Sequence, residues 1–298
     1  MDARAILLGL AFATMWSSAF TSAKFIVADA PPLTALAFRF AISGGIGVAI
    51  AAALGQSWRL TGPQWRATFI FGLCQNALYL GLNFVAMQSV PAGLASIVAS
   101  TMPLMVAAVG WGVMGERLKP LGVAGLAAGM VGVAVIMGTR ISSGVDLGGL
   151  SLCIFGVLAL TTATLAVRGA ASGGNVLMVV GLQMLMGAAI LAVAAPVLEE
   201  WDVTWSPALI LAFAYTTLVP GLAATFAWFV LVGRIGPVRA ATFHFLNPFL
   251  GVAIAAVVLG EAIGPYDLLG VAIIMGGILA VQMAKVRPAP TVGQKSTL

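Results

Sequence analysis

Several polar residues sit inside otherwise apolar runs of this sequence, and their types and spacing suit ligand binding better than catalysis. Asn76, Tyr79 and Asn83 follow one another at steps of three and four, which puts their side chains on one face of a helix. With Gln75 beside them, two amides and a phenol in line can hydrogen-bond an ammonium, a carboxylate or a polar substituent of a ligand, or else build a ladder between helices. Ser96, Ser100 and Thr101 precede Pro103, and the sole histidine, His244, precedes Asn247 and Pro248. A proline inside a helix has no N–H for the carbonyl four residues back, so the Ala99 and His244 carbonyls are expected to be released, as cation or water ligands or simply at kinks. His244 can hydrogen-bond a ligand, titrate near neutral pH or pack as a neutral ring. Trp16 and Trp228 can wall an apolar or aromatic group. The candidate binding set is therefore Trp16, Asn76, Tyr79, Asn83, Ser96, Ser100, Trp228, His244 and Asn247.

Arg39 has two uses open to it, a fork offered to a carboxylate or snorkelling to the headgroups from about six residues inside its run; snorkelling is the expected one. Catalysis finds little support. Ser43 with His244 would be the pair for an intramembrane serine protease, yet Ala41-Ile42-Ser43-Gly44 lacks the first glycine of a Gly-x-Ser-Gly motif. Acids do not cluster as a metal-dependent transferase requires, and Cys74 and Cys153 lie far apart in apolar runs, so neither a metal, a cofactor nor a disulfide framework is expected.

The elements that must position these residues follow from composition. Of 298 residues 61% are hydrophobic and 8% charged, with mean hydropathy +1.10, against about 25% charged in a soluble domain. The net charge of +5 comes from 14 scattered cations, which form no face for nucleic acid. Apolar runs between turn-forming or charged residues predict ten membrane helices over 4–28, 33–54, 67–89, 92–115, 120–139, 148–168, 175–197, 207–232, 237–260 and 265–284, followed by a disordered tail over 285–298. The first run also resembles a secretory signal ending at Ala28-Asp29-Ala30, but its apolar part is too long for one. With the N-terminus inside, Arg4, Arg59, Arg66, Arg117, Lys119, Arg168, Arg234, Arg239, Lys285, Arg287 and Lys295 all fall inside, leaving Lys24 and Arg140 outside; this places both termini in the cytoplasm.

Residues 93–137 superpose on 238–282 at a constant offset of 145. Pro103 then meets Pro248, Gly115-Glu116 meets Gly260-Glu261, Pro120 meets Pro265, and Gly125 and Gly132 meet Gly270 and Gly277. Five spans per half is an odd number, so the halves, 1–143 and 144–284, cross the membrane in opposite senses, the inverted repeat of secondary transporters. The predicted fold class is an all-α integral membrane protein of ten transmembrane helices arranged as two inverted five-helix repeats. Glu116 and Glu261 are expected to brace helix ends beside the prolines that follow them. Gly122, Gly125, Gly129 and Gly132, with Gly270, Gly276 and Gly277, are expected to pack helices closely within the monomer, with a homodimer contact as the other use.

Trp16-Ser17-Ser18-Ala19-Phe20, Arg39 and the doubled Pro-x12-Glu-x3-Pro-x4-Gly pattern resemble the drug/metabolite transporter superfamily, EamA type, across essentially the whole chain. Within it the sequence is most similar to bacterial exporters of amino acids, aromatic ones among them, and of related metabolites. The resemblance implies a multi-pass carrier of the inner (plasma) membrane, with helices one to four and six to nine around the pathway and helices five and ten peripheral. A small amino-acid-like substrate and the lipid bilayer are then the expected partners, and drugs or other metabolites the alternative cargo. Interior cations to meet a nucleotide sugar are lacking apart from Arg39, and no interior acid is present to meet a hydrophobic cation or couple protons. A net-neutral cargo and a uniport mechanism are expected.

Overall fold

In the computed structural model, which describes residues 3–166, 174–235 and 240–284, the described chain is helical. Ten helices are long and apolar enough to cross a bilayer: α1 (Ala3–Asp29), α2 (Pro32–Ala53), α3 (Gly62–Ala86), α4 (Ala92–Gly112), α5 (Pro120–Ser142), α6 (Leu147–Ala166), α7 (Val176–Leu198), α8 (Pro207–Ile235), α9 (Thr242–Leu259) and α10 (Pro265–Met283). Pro32, Pro120, Pro207 and Pro265 open their helices, where a fixed φ helps and the missing N–H costs nothing. At 1.5 Å per residue each helix covers a hydrocarbon core of about 30 Å. Exposed Val193, Val197, Leu211, Phe226 and Val257 face outward, as a lipid solvent demands.

The observed spans follow the predicted ones to within three residues except at two starts. α3 begins at Gly62, ahead of the expected start at 67, because Gln64 Oε1 accepts from the Thr61 N–H at 2.8 Å and caps the turn. The described part of α9 begins at Thr242 with a 3₁₀ turn over Thr242–Leu246. The predicted disordered tail over 285–298, and with it Lys285, Arg287 and Lys295, lies outside the described residues, as do Arg168 and Arg239.

Eight helices form a ring in the order α1, α8, α2, α7, α3, α6, α4, α9 and back to α1, while α5 and α10 pack on each other outside it, beside α4 and α9. Every neighbour within the ring comes from the other half of the chain. The α5–α10 contact is made by the predicted glycines: a Cβ on Gly277 would lie 2.6 Å from the Gly125 carbonyl oxygen, and one on Gly132 would lie 2.8 Å from that of Gly270. Gly276 departs from this pattern, since nothing lies within 4 Å of its Cβ position.

Helix ends are finished across the same boundary. The Glu199 carboxylate, just past α7, accepts from the Leu33 and Thr34 N–H groups at the start of α2 at 2.7 and 2.9 Å. In return Gln56 Oε1, just past α2, accepts from the Met178 N–H at the start of α7 at 3.0 Å. Glu261 does not brace its own helix end as the sequence led one to expect; its two oxygens accept from Ala92 and Gly93 at the start of α4, at 2.6 and 2.9 Å. A carboxylate at a helix N-terminus satisfies donors that the helix leaves unpaired and complements its dipole. Lys24 serves the opposite end of α3, donating to the Met87 and Val90 carbonyls at 2.5 and 3.1 Å.

Two of the ring helices contain π turns. These start at Gly72 in α3 and Thr217 in α8, the same offset of 145 residues that relates the halves. Such turns interrupt the regular hydrogen-bond ladder and are frequent at functional sites.

Candidate binding site within the helix ring

Four of the sequence-predicted residues come together where α1, α8 and α9 meet. The imidazole of His244 is boxed by three aromatic rings: Phe12 at 5.2 Å between centroids, Trp228 at 5.3 Å and Trp16 at 5.9 Å. Phe12 and Trp16 stand nearly perpendicular to it, at 87° and 90°, the edge-to-face geometry that aromatic quadrupoles favour. Phe12 and Trp228 also touch at 4.9 Å, and Trp16 touches Phe20 at 5.7 Å. Asn247, one turn beyond His244, places its Nδ2 2.9 Å from His244 Nδ1.

The 3₁₀ turn accounts for this geometry and corrects one expectation. The His244 carbonyl is not released by Pro248, because the Asn247 N–H closes on it three residues away. The tightened turn brings His244 and Asn247 side by side. Asn247 is 1% exposed, and its Oδ1 has no partner. On the neighbouring α4, Ser100 Oγ donates to the Ser96 carbonyl at 2.7 Å, while the fully buried Ser96 Oγ is unpartnered and faces Gly251 of α9, where a Cβ would overlap it. Thr21 of α1 adds a third buried, unpartnered oxygen. Three helices consecutive in the ring thus each carry a buried polar atom with unused capacity, an expensive condition in an apolar solvent.

The Asn76, Tyr79 and Asn83 stripe lies on the other side of the ring, against α6 and α7. Asn76 Nδ2 donates to the Gln183 carbonyl of α7 at 2.8 Å. Asn83 Nδ2 donates to the Tyr79 carbonyl at 2.8 Å, and both residues press on Gly156 of α6. The adjacent face of α3, with Ala77, Gly81 and Val85, borders a cleft of about 760 Å³ shared with Leu33, Ile190, Leu191 and the acids Asp29, Glu199, Glu200 and Asp202.

Arg39 does not snorkel. It is 6% exposed and lies inside the ring, where its Nε donates to the Thr216 carbonyl of α8 at 3.3 Å. Pro220, four residues beyond Thr216, has no N–H to offer that carbonyl, and the π turn over Thr217–Ala223 widens the approach. Hydroxyls surround the site: Thr216 Oγ1 donates to Ser22 Oγ at 2.7 Å, and Ser43 Oγ to the Thr217 carbonyl at 3.4 Å. Sequence reasoning missed Phe12, Ser22 and Thr216 here. Mid-span Pro220 was the available signal for the last.

Among the described residues no three of His, Cys, Asp and Glu lie close enough to hold a metal ion. A closed ring of apolar helices from two interleaved, inverted halves, with buried polar atoms and aromatic rings inside, defines a polytopic membrane transporter. The chain belongs to the EamA-like transporter family, whose model matches it twice, over residues 3–138 and 147–283.

Among its relatives, the uncharacterized transporter YvbV of Bacillus subtilis is 24% identical over 281 residues, covering 94% of this chain and 92% of that one. The aromatic amino acid exporter YddG of Ancylobacter novellus is 29% identical over 136 residues, 46% of this chain and 47% of that one. A probable amino-acid metabolite efflux pump of Salmonella typhimurium is 26% identical, with 91% and 92% covered. One solved crystal structure superposes with a TM-score of 0.67 at 23% identity, covering 95% of this chain and 99% of that one, and so shares the fold.

Proposed function

We propose that this protein is an inner-membrane carrier that exports amino acids, aromatic ones among them, and related small zwitterionic metabolites by alternating access. The observation that carries the reading is the aromatic box of Phe12, Trp16 and Trp228 around His244, with the unpartnered Asn247 Oδ1 beside it. Apolar walls with a few convergent polar atoms suit a ligand that joins an apolar side chain to hydrogen-bonding groups. In this reading Trp16, Trp228, His244, Asn247, Ser96 and Ser100 line the pathway, Asn76 bonds α3 to α7, and Tyr79 and Asn83, whose buried Oδ1 is unpartnered, face α6. The names of two relatives, an aromatic amino acid exporter and a probable amino-acid metabolite efflux pump, support the substrate class.

Repeats over 1–143 and 144–284, both termini cytoplasmic, belong to the same reading. Among the described residues carboxylates lie only at helix ends and in connections, so we infer uniport down the substrate gradient. Counterflow into proteoliposomes over the twenty amino acids tests the proposal. Export-competent protein exchanges a subset rich in aromatic and large apolar members, and Trp228→Ala or His244→Ala raises their KM. Reconstituted protein that exchanges no labelled amino acid refutes it, and uptake accelerated severalfold by an imposed pH gradient refutes uniport.

A further inference from the structure

We propose that Arg39 is the carboxylate-binding subsite for the transported substrate, an inference that rests on the amino-acid reading above and deepens it. Arg39 lies seven residues below the start of α2, about 10 Å into the membrane at 1.5 Å per residue. Arginine carries the most basic of the side chains, five N–H donors on a planar cation. Among the described residues no carboxylate pairs with it, and every acid lies at a helix end or in a connection. The cation therefore sits 94% buried, one of its five donors committed to a neutral carbonyl at 3.3 Å. A charge held in that state is costly unless an anion joins it.

Bracing the opened helix does not account for the charge, because the other half of the molecule braces the same place with a neutral group. The π turns of α3 and α8 begin at equivalent positions, Gly72 and Thr217. In the first, Asn76 reaches the neighbouring helix and its amide donates to Gln183 at 2.8 Å. In the second, Gly221 stands at the position equivalent to Asn76, with no side chain to reach across, and Arg39 comes in from α2 instead. A Cβ on Gly221 would lie 3.3 Å from Ser43 Oγ and 3.7 Å from an Nη of Arg39. One half fills the niche with an amide that spends its donor on the backbone. The other has only glycine there, packed against a guanidinium with spare donors and beside the hydroxyls of Ser22, Ser43 and Thr216. A fork facing hydroxyls matches a carboxylate in geometry and charge. α1 links this niche to the aromatic box, since Ser22 and Trp16 are six residues apart, about 9 Å along the axis.

The test compares L-phenylalanine with L-phenylalaninamide, which differ in the carboxylate, as competitors in proteoliposome counterflow with the full chain. Wild-type protein is expected to prefer the acid by about tenfold or more. Arg39→Gln is expected to raise the KM for the acid by a similar factor while changing that for the amide less than twofold, and Arg39→Lys to recover part of the preference. Arg39→Gln weakening acid and amide alike overturns the proposal in favour of a structural brace or a bound lipid phosphate. Wild-type protein that exchanges amino acids without preferring the acid overturns it alone, and decides the matter even if no Arg39 variant reconstitutes. Wild-type protein that exchanges no amino acid overturns the amino-acid reading and this inference together.

Discussion

Adding one methyl group at Gly277 should separate stability from transport. The Cβ of Gly277→Ala would sit 2.6 Å from the Gly125 carbonyl oxygen and 2.7 and 2.8 Å from the Gly129 N and Cα. All three are backbone atoms that cannot rotate away. Close C···O contacts between helices settle at about 3.3–3.6 Å, so α10 must move from α5 by roughly 0.5–1 Å, and the matching contact at Gly132 and Gly270 opens with it. Overpacking of this kind costs about 1–3 kcal/mol, which translates to a fall in melting temperature of about 2–10 °C. Gly276→Ala is the control, because its Cβ meets nothing within 4 Å and alanine favours the helix. Thermal unfolding of both variants in the same detergent measures the difference. Since α5 and α10 stand outside the ring, Gly277→Ala should leave the KM for a transported amino acid unchanged. Equal melting temperatures for the two variants, or a raised KM in a variant of unchanged stability, would refute the reasoning.

Glu199→Gln removes one charge-assisted acceptor from the start of α2, and a loss of about 1.5–3 kcal/mol in unfolding free energy is expected; an unchanged melting curve would show the cap to be idle. Arg140 and Asp267 form a two-pronged ion pair, 2.7 and 3.1 Å, with Arg140 partly exposed. A double-mutant cycle should return a coupling of no more than about 1 kcal/mol that shrinks in high salt. Asp146 is held below the usual carboxylate range, first by the Ser89 hydroxyl at 2.5 Å and then by the Gly149 and Gly148 N–H groups. Because its folded-state pKa is depressed, the stability it contributes is present at neutral pH and is lost as pH falls through that value. Ser89→Ala should move this acid-side loss to higher pH, followed by melting temperature against pH, and an unshifted profile would remove Ser89 from the account.

The spans were legible because lipid leaves helices little alternative and punctuates them with proline and glycine. Pro103, Pro120 and Gly125 with their partners Pro248, Pro265 and Gly270 disclosed the repeat for the same reason. Local spacing also found the His244 and Asn247 pair, whose contact depends on one helical turn. It could not say which helix lies opposite. The Asn76 stripe faces α6 and α7, Arg39 turns inward to α8, and Glu261 reaches α4. Each outcome is set by pairing across the two halves, over separations of more than seventy residues. Phe12 was hidden in an apolar run where nothing local marks an aromatic ring as the wall of a box.

Because adjacent positions in the ring alternate between the two halves, the first five helices have no finished interior when they are made. The N–H groups of Leu33 and Thr34 wait for Glu199, and those of Ala92 and Gly93 wait for Glu261. The order of synthesis thus becomes an order of assembly, in which α2 is completed once α7 has entered the membrane and α4 only when α9 follows. Severing the chain between its halves would yield two polypeptides, each unable to fold alone but each carrying the missing helix ends of the other.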